Sequence, residues 1–532
     1  MSGHRTMGAL VAERAATHEH AVFVHVGPDS VTYSEFDALV TRAAQGLLAL
    51  GVRHGDRVCI ALPNCLEFLA AGFGAMRLGA ILVPLNLEYR SAQVAYVLAD
   101  AEAQVIVTSP EFFSQHRTVL EDSNLAIAVL TGTELPATTR LRCHSWHEVL
   151  ETAHLSADLP DVAAGDALAI IYTSGTTGDP KGVQLSHEHE LTLAENIAAS
   201  TSLSSDDCFY NFYPLHHNTG LGIITCAVLT VGARMLLTER FSRSSFWRDV
   251  IDHGCTVFYG MGPVIEILDK DEAAGVAARG HSLRVCFGIA IGEEQAQRFG
   301  NRFGVDFVGG YGSTEVNMVA IAPIPSGHPG AAGKVLDDFE VAVVDSKDRP
   351  VPAGDVGEIV VRPRRPYITC LGYWRKPAET TRAWRNLWVH TGDAGRLDED
   401  GYLYFVDRIH DVIRHRGNNI SSLELETLIV SLDGVTEVAV IPVPSGLGEF
   451  DQDICAVVVP KAGRTLDPQR VIDLCTAEMP KYAVPRYVEF VPELPKTPTG
   501  KVRKAVLRAR PSAPDRWDRE SQATAATGAL ER

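Results

Sequence analysis

The chain has 532 residues, of which 46% are hydrophobic and 21% are charged, a composition typical of a folded protein with several packing units rather than a disordered one. Lysine and arginine total 48 against 66 aspartates and glutamates, and the net charge of −18 disfavours nucleic acid as a partner. Because the N-terminus lacks an apolar stretch of signal-peptide length and no apolar run reaches the ~20 residues that cross a bilayer, we expect a cytoplasmic protein with no membrane partner.

From residue 31 onward, amphipathic stretches alternate with short apolar runs. Residues 33–50 have helical periodicity, whereas residues 58–62 and 104–107 have the apolar character of buried strands. The alternation continues past residue 300 and is typical of strands joined by crossover helices. The sequence therefore predicts an α/β fold over residues 1–407, with largely parallel sheets and flanking helices.

A loop rich in glycine and hydroxyl residues lies between two predicted strands, at 167–172 and 183–185, and Ser186 is predicted to cap a helix that begins at His187. The loop consists of Thr173, Ser174, Gly175, Thr176, Thr177 and Gly178. Its glycines allow backbone N–H groups to converge on one point, its hydroxyls add donors, and Lys181 supplies a positive charge. This combination suits a polyphosphate, although Lys181 precedes Gly182 and so does not match the Walker pattern.

A second, smaller domain is predicted after a charged segment at residues 408–419. This segment has too few apolar residues for a core, and beyond it residues 435–443, 454–459 and 487–491 predict strands and residues 468–479 a helix. We predict a hinge at 408–411, a small α+β domain over 412–510, and a mobile polar tail over 511–532.

Four further motifs follow the loop in order: YGSTE at 311–315, WVHTGD at 388–393, DRIHD at 407–411 and PTGK at 498–501. Together with YTSGTTGDPKG at 172–182, they make the chain resemble, over nearly its whole length, the adenylate-forming superfamily of acyl-CoA synthetases, peptide-synthetase adenylation domains and luciferases. Within it, ERFS at 239–242 and RGNNISSLE at 416–424 are most similar to the carnitine/crotonobetaine-CoA ligase group.

The resemblance implies an ATP- and Mg²⁺-dependent ligase. Such an enzyme joins a carboxylic acid, here a small or polar one, to AMP with release of pyrophosphate, and coenzyme A is the implied acceptor of the acyl group. Because two anions must meet at the α-phosphate, catalysis depends mostly on charge neutralisation and alignment.

The resemblance also assigns roles within the ATP site. The loop residues and Lys181 hold the β and γ phosphates, Glu315 binds Mg²⁺, and Thr314 contacts the α-phosphate beside Gly312 and Ser313. Tyr311 stacks on adenine, while Asp393 and Arg408 bracket the ribose hydroxyls. Lys501 bridges the carboxylate and α-phosphate oxygens during adenylation and withdraws when the small domain rotates.

For the acid pocket, the resemblance implies His217 at the position of the family histidine, His216 where phenylalanine is usual, and a wall containing Gly288, Ile289 and Gly310. On the acceptor side, Arg416 replaces the first glycine of the usual GGEN segment and precedes Gly417. The hinge position that is usually Asp or Lys is His410.

These departures leave other acceptors open: a free-standing carrier protein, an amine, or nitrite activation for diazotisation of an aryl amine. No carrier module is expected after Lys501. A nucleotide-binding regulator without activity would be expected to have lost Lys501 or Glu315, and both are present. Neither the identity of the acid nor the oligomeric state follows from the sequence.

Overall fold

The structure is a computed structural model that describes residues 6–132, 135–152, 158–173, 180–271, 274–289, 291–409, 411, 413–415, 418–445, 452–496, 501–511, 513 and 516–521. Several predicted site residues lie outside these ranges, and their roles stay predictions: Ser174, Gly175, Thr176, Thr177, Gly178, His410, Arg416 and Gly417. Within the described ranges, no helix combines the length and the apolar character needed to cross a bilayer.

The described residues up to Arg408 contain twenty-one strands. They are β1 (Val22–Val26), β2 (Asp29–Thr32), β3 (Arg57–Ala61), β4 (Ile81–Pro84), β5 (Val105–Thr108), β6 (Ile127–Leu130), β7 (Arg142–Ser145), β8 (Ala167–Thr173), β9 (Lys181–Ser186), β10 (Cys208–Asn211), β11 (Arg234–Leu237), β12 (Val257–Met261), β13 (Val285–Ile289), β14 (Asp306–Ser313), β15 (Asn317–Ile324), β16 (Gly333–Val335), β17 (Phe339–Val344), β18 (Gly357–Pro363), β19 (Gly372–Tyr373), β20 (Val389–Leu397) and β21 (Tyr402–Arg408).

Thirteen α-helices accompany these strands in the described residues. They are α1 (Met7–Thr17), α2 (Tyr33–Ala49), α3 (Leu66–Arg77), α4 (Ser91–Ala101), α5 (Pro110–Asp122), α6 (Trp146–Glu151), α7 (His187–Ser200), α8 (Ala227–Val231), α9 (Phe246–Asp252), α10 (Gly262–Asp269), α11 (Ala274–Ala277), α12 (Glu293–Phe303) and α13 (Pro377–Ala383). A π-helical segment, Thr219–Cys226, leads into α8.

Two large sheets result, one of eight strands in the order β19-β9-β8-β4-β3-β5-β6-β7 and one of thirteen in the order β17-β18-β20-β21-β16-β15-β14-β13-β12-β10-β11-β1-β2. The predicted α/β fold is confirmed. Parallel pairing holds from β3 to β8 and from β10 to β14, with crossover helices between the strands. From β14 to β21 the neighbours are antiparallel. Short turns join β14 to β15 and β20 to β21, which leaves no room for a crossover helix there, whereas β16 pairs with β21 across a long stretch of chain.

The helices α1, α2 and α3 pack together under the eight-stranded sheet, with Phe36 and Phe73 buried edge to face at 5.6 Å. Thr32 starts α2 through a capping box: its hydroxyl accepts from the backbone N–H of Glu35, and the Glu35 carboxylate accepts from the Thr32 N–H. This apolar layer fixes the base on which β8 and β9 carry the loop.

The small domain contains strands β22 (Ile413–His415), β23 (Asn418–Ile420), β24 (Val435–Pro444), β25 (Gln452–Pro460), β26 (Tyr487–Phe490) and β27 (Trp517–Asp518), and helices α14 (Ser422–Val430), α15 (Pro468–Glu478) and α16 (Lys504–Ala509). Its sheet has the order β24-β25-β26-β27. The domain is tied to β21 by Asp407, whose Oδ2 accepts from the Ser422 and Leu423 N–H groups at 2.7 and 3.1 Å. The negative charge of this carboxylate also interacts favourably with the positive N-terminal end of the α14 dipole.

Within the stretch predicted as a mobile tail, the structure has a short strand, β27, at Trp517–Asp518. Trp517 pairs with Val488 of β26, so that β27 forms the edge of the sheet, and packs against the core of the small domain. Asp518 accepts from Arg486 at 3.2 Å, and Arg486 also pairs with Asp453 at 2.9 Å. The polar composition of this segment does not predict a strand. The strand is stabilised by one aromatic side chain, Trp517, and by ion pairs with residues that are distant in the sequence.

Removal of residues 511–532 is expected to lower the free energy of unfolding of the small domain by about 2 kcal/mol, since the apolar surface of Trp517 is lost and the edge of β26 is exposed. Chemical denaturation measures this loss. Truncation after Ser521 retains β27 and serves as the control. Equal stability of the two truncated chains would contradict the structural role of β27.

Candidate active site

The two ends of the glycine- and hydroxyl-rich loop meet in the β8–β9 ladder. Thr173 and Lys181 are paired residues of this antiparallel ladder, and the Thr173 hydroxyl donates to the Lys181 carbonyl at 3.5 Å. Ser186 caps α7 as predicted, its Oγ accepting from the His189 N–H at 3.0 Å. The loop stems are therefore held by strand pairing and by a capped helix.

Lys181 and Glu315, predicted to bind phosphate and metal, are linked through a shared tyrosine. Lys181 Nζ lies 2.6 Å from Glu379 Oε2 on α13 and 5.0 Å from the centre of the Tyr373 ring, and Tyr373 Oη donates to Glu315 Oε1 at 3.2 Å. The hydrogen bond from Lys181 lowers the pKa of Glu379. Sequence analysis missed Tyr373 and Glu379, because nothing local to residues 372–379 reveals contacts made with residues 181 and 315.

The carboxylate of Glu315 stands in the tight turn between β14 and β15. Ser313 Oγ donates to Glu315 Oε2 at 3.0 Å, and Gly312 is required there, because a Cβ atom would lie 2.2 Å from the Asn317 carbonyl oxygen. Thr314 lies half-buried between them. Within the described part of the chain, both oxygens of Glu315 accept only from hydroxyl groups, which carry no positive charge to balance the carboxylate. Such a hard anionic oxygen donor fits Mg²⁺.

Asp393 is 3% exposed and binds two of the predicted site residues. Tyr311 Oη donates to Asp393 Oδ2 at 2.6 Å, and Arg408 Nη1 lies 3.0 Å from Asp393 Oδ1 across the β20–β21 pair. Burial raises the pKa of Asp393, and Arg408 opposes this rise. Tyr311 is itself buried and packs its ring on Phe405, with centroids 6.1 Å apart.

Glu358 and Thr391, which are outside the predicted set, hold the turn before Asp393 through hydrogen bonds from backbone N–H groups. Glu358 Oε2 lies 2.9 Å from His390 Nδ1, and Glu358 Oε1 accepts from the Gly392 N–H at 3.3 Å. Gly392 adopts a φ of 71°, which favours glycine. Thr391 Oγ1 accepts from the Asp393 N–H at 3.1 Å. The position of Asp393 therefore depends on a carboxylate from β18 that no local motif identifies.

Replacing Asp393 by asparagine is expected to weaken ATP binding about tenfold, since Arg408 loses its anionic partner and the predicted ribose acceptor becomes neutral. Equilibrium binding of ATP measures the change. Asp249→Asn is the matched control. Asp249 also accepts a hydrogen bond from a tyrosine, Tyr210, at 2.9 Å, and neither residue belongs to the predicted site. Unchanged ATP affinity in Asp393→Asn would contradict the nucleotide role of Asp393.

Lys501 of the small domain lies within electrostatic reach of the large domain's site. Burial and Arg408 lower the pKa of Lys501, whereas Asp393 acts in the opposite direction. Lys501 in turn contributes to the low pKa of His217. The structure thus brings together residues 217, 393, 408 and 501, which are widely separated along the chain.

His217 and His216 precede the π-helical segment. His216 is half-buried and the edge of the His217 ring is open to solvent, yet the protein around them lowers the pKa of each to about 4, with Lys501 adding to the effect at His217. His217 Nδ1 accepts from the Thr219 N–H at 3.1 Å. The ring is therefore neutral near pH 7 with its proton on Nε2, which makes it a hydrogen-bond donor rather than a base.

The predicted pocket glycines allow close packing of the protein rather than open space. A Cβ atom at Gly288 would lie 2.1 Å from the Gly260 carbonyl oxygen on β12, and one at Gly310 would lie 2.8 Å from Met318 Sδ. Ile289, at the end of β13, is half-buried and packs on the main core. These three residues pack against neighbouring strands and the core. Their contact with an acid stays a prediction.

Comparisons with known proteins place the chain among AMP-binding enzymes. The family model described as AMP-binding enzyme matches residues 11–374, and the model described as AMP-binding enzyme C-terminal domain matches residues 424–501. A crotonobetaine/carnitine–CoA ligase of Salmonella enteritidis is 30% identical over 482 residues, covering 90% of this chain and 93% of the relative.

Solved structures are also similar. ATP-bound MatB from Rhodopseudomonas palustris superposes with a TM-score of 0.82 at 26% identity and covers 95% of this chain and 98% of its own. The anthranilate CoA ligase AuaEII in complex with anthranoyl-AMP shares the fold, with a TM-score of 0.83 at 24% identity, covering 95% of this chain and 97% of its own.

Proposed function

Since the chain belongs to the AMP-binding enzyme family, we propose that it is an ATP-dependent acid–CoA ligase that converts a carboxylic acid first into its acyl-adenylate and then into its coenzyme A thioester. We propose further that the acid is small or polar. The relative named crotonobetaine/carnitine–CoA ligase, which is 30% identical over most of the chain, supports this choice of substrate class.

The observation that carries the proposal is the position of Lys501. A lysine from the small domain acts electrostatically on His217, Arg408 and Asp393 of the large domain. Adenylation requires a carboxylate oxygen to attack an α-phosphorus that already carries negative oxygens, and a cation between the two anions reduces their repulsion. These interactions support Lys501 as the cation proposed for the first step.

Each residue then has a chemical task. The acid carboxylate attacks the α-phosphorus and the bond to pyrophosphate breaks. Lys501 stabilises the charge that develops between carboxylate and α-phosphate, and His217 Nε2–H can donate to an oxygen of the acid. Lys181 leaves its ion pair with Glu379 and pairs with the departing pyrophosphate. Asp393 and Arg408 hold the ribose. In the second step the coenzyme A thiol attacks the acyl carbonyl and displaces AMP.

Glu315 is the residue proposed to hold Mg²⁺. Its two oxygens accept only from the hydroxyls of Ser313 and Tyr373 within the described residues, so they suit a hard divalent cation. Bound there, Mg²⁺ would neutralise part of the triphosphate charge. Tyr373 contacts both this carboxylate and Lys181, which supports a shared role of the two groups at the triphosphate.

Incubation with ATP, Mg²⁺ and a panel of small acids, with and without coenzyme A, tests the proposal by mass spectrometry of the products. We expect an acyl-adenylate without coenzyme A, and a thioester plus AMP when coenzyme A is present. If coenzyme A leaves the rate of AMP release unchanged, while a carrier protein, an amine, or nitrite plus an aryl amine raises it, then that compound and not coenzyme A is the acceptor. Absence of any adenylate across the panel would overturn the proposal.

A further inference from the structure

Helix α4 contacts both stems of the loop that connects β8 and β9. On the entrance side, Tyr172 Oη donates to Asp100 Oδ2 at 2.7 Å. On the exit side, Tyr96 Oη donates to the Pro180 carbonyl at 3.0 Å. Tyr96 and Asp100 are four residues apart and so lie on one face of α4.

Lys376 joins these two contacts into a single network. Its Nζ donates to Tyr96 Oη at 3.2 Å and lies 3.6 Å from Asp100 Oδ1. The adjacent Trp374 donates from Nε1 to the Asp100 carbonyl at 3.0 Å, and its backbone N–H donates to the Gly182 carbonyl at 2.8 Å. The segment before α13 therefore holds α4 and β9 together.

The network is built from half-buried polar groups. Asp100 and Lys376 have side chains that are 16% and 23% exposed, so their charges are partly shielded from water and strengthen the hydrogen bonds they make. The rings of Tyr96, Tyr172 and Trp374 pack on an apolar cluster of the large domain, while their polar atoms make the hydrogen bonds described above. Their shared feature is that they contact residues immediately before Thr173 and immediately before Lys181.

We propose that Tyr96 and Asp100 are positioning residues that hold the two stems of the 173–181 loop at the separation needed to bind the ATP polyphosphate. This inference rests on the proposed function, because the loop is assigned to ATP there. Fixing both stems holds Thr173 and Lys181 in place before a phosphate binds and so reduces the conformational entropy that these two residues lose on binding, which makes ATP affinity the property that the network controls.

Three matched tyrosine variants test the inference through equilibrium binding of ATP to the acid-free protein. Tyr96→Phe removes the exit contact and Tyr172→Phe the entrance contact, each by loss of a single hydroxyl. Tyr210→Phe is the control, because Tyr210 makes the same kind of hydrogen bond to Asp249 at 2.9 Å outside the network. We expect about fivefold weaker ATP binding in the first two variants and no change in the third.

Steady-state measurements add a readout that a purely structural role would not move. In acid-dependent pyrophosphate exchange, Tyr96→Phe and Tyr172→Phe should raise KM for ATP while KM for the acid stays constant. Asp100→Glu, which retains the charge, should bind ATP more tightly than Asp100→Ala.

Lower melting temperatures with unchanged ATP affinity in both stem variants would overturn the inference and leave the proposed function intact. An equal rise of KM for ATP and for the acid would also overturn it. If the wild type binds ATP but adenylates no acid, the proposed function fails while the ATP-binding comparison still decides the role of Tyr96 and Asp100. If the wild type does not bind ATP, both fail.

Discussion

Lys501→Ala is expected to slow adenylation by about 10²-fold or more, because the site loses the cation placed between two anions in a partly water-excluded region. Folding should be unaffected, since Lys501 lies on the surface of the small domain, outside the apolar clusters of the described residues, and interacts with Arg408 and Asp393 of the large domain rather than with a core. Acid-dependent pyrophosphate exchange measures the first step. Thioester formation from supplied acyl-adenylate measures the second, and we expect it to be retained far better.

The control for this variant is Lys496→Ala, which removes a lysine from the same domain. Lys496 pairs with Glu437 on the surface, and exposed ion pairs contribute little to stability. Its adenylation rate should stay within about twofold of wild type. Equal losses in both half-reactions of Lys501→Ala would contradict a lysine that serves only the first step.

The pH dependence of adenylation should report the same group. Because burial and Arg408 lower the pKa of Lys501, its positive charge is lost below the ordinary lysine range as pH rises. The rate should therefore fall on the alkaline side in the wild type. Whatever activity Lys501→Arg retains should lack this fall, since a guanidinium stays charged.

Glu315→Gln is expected to raise the Mg²⁺ concentration for half-maximal adenylation by about tenfold or more, because a neutral amide replaces the anionic oxygen that suits the metal. A Mg²⁺ titration at saturating ATP measures this shift. Glu379→Gln is the contrasting variant: it alters the partner of Lys181 and should change KM for ATP with little effect on the Mg²⁺ midpoint. If Glu315→Gln had the same Mg²⁺ midpoint as the wild type, Glu315 would not be a ligand of the metal.

Sequence reasoning located the elements that carry the motifs, because their signals are local. The helix at 33–50, the strands flanking the loop and the Ser186 cap follow from periodicity and capping chemistry within a few residues. The order of the motifs predicted the family, and the matched family models confirm it. The roles of Glu315, Asp393 and Lys501 came with the resemblance and are still predictions.

Some features depended on groups that are far apart in the chain. The pairing of Lys181 with Glu379, the support of the Asp393 turn by Glu358, and the contacts of Tyr96 and Asp100 with the loop stems each join separate elements. The antiparallel half of the large sheet and the strand at Trp517 likewise reflect pairing with distant partners.

The sequence by itself determined which residues could carry charge, turn or pack, since composition and local spacing decide those properties. Tertiary structure alone decided which of them meet. A polar side chain such as Glu379 or Asp100 has the same local preferences in a solvated loop as in a site, and only the packing of α4 and α13 against β8 and β9 turns it into a partner of Lys181 or Tyr172. The free energy of such contacts comes from desolvation and fixed geometry, which local sequence does not encode.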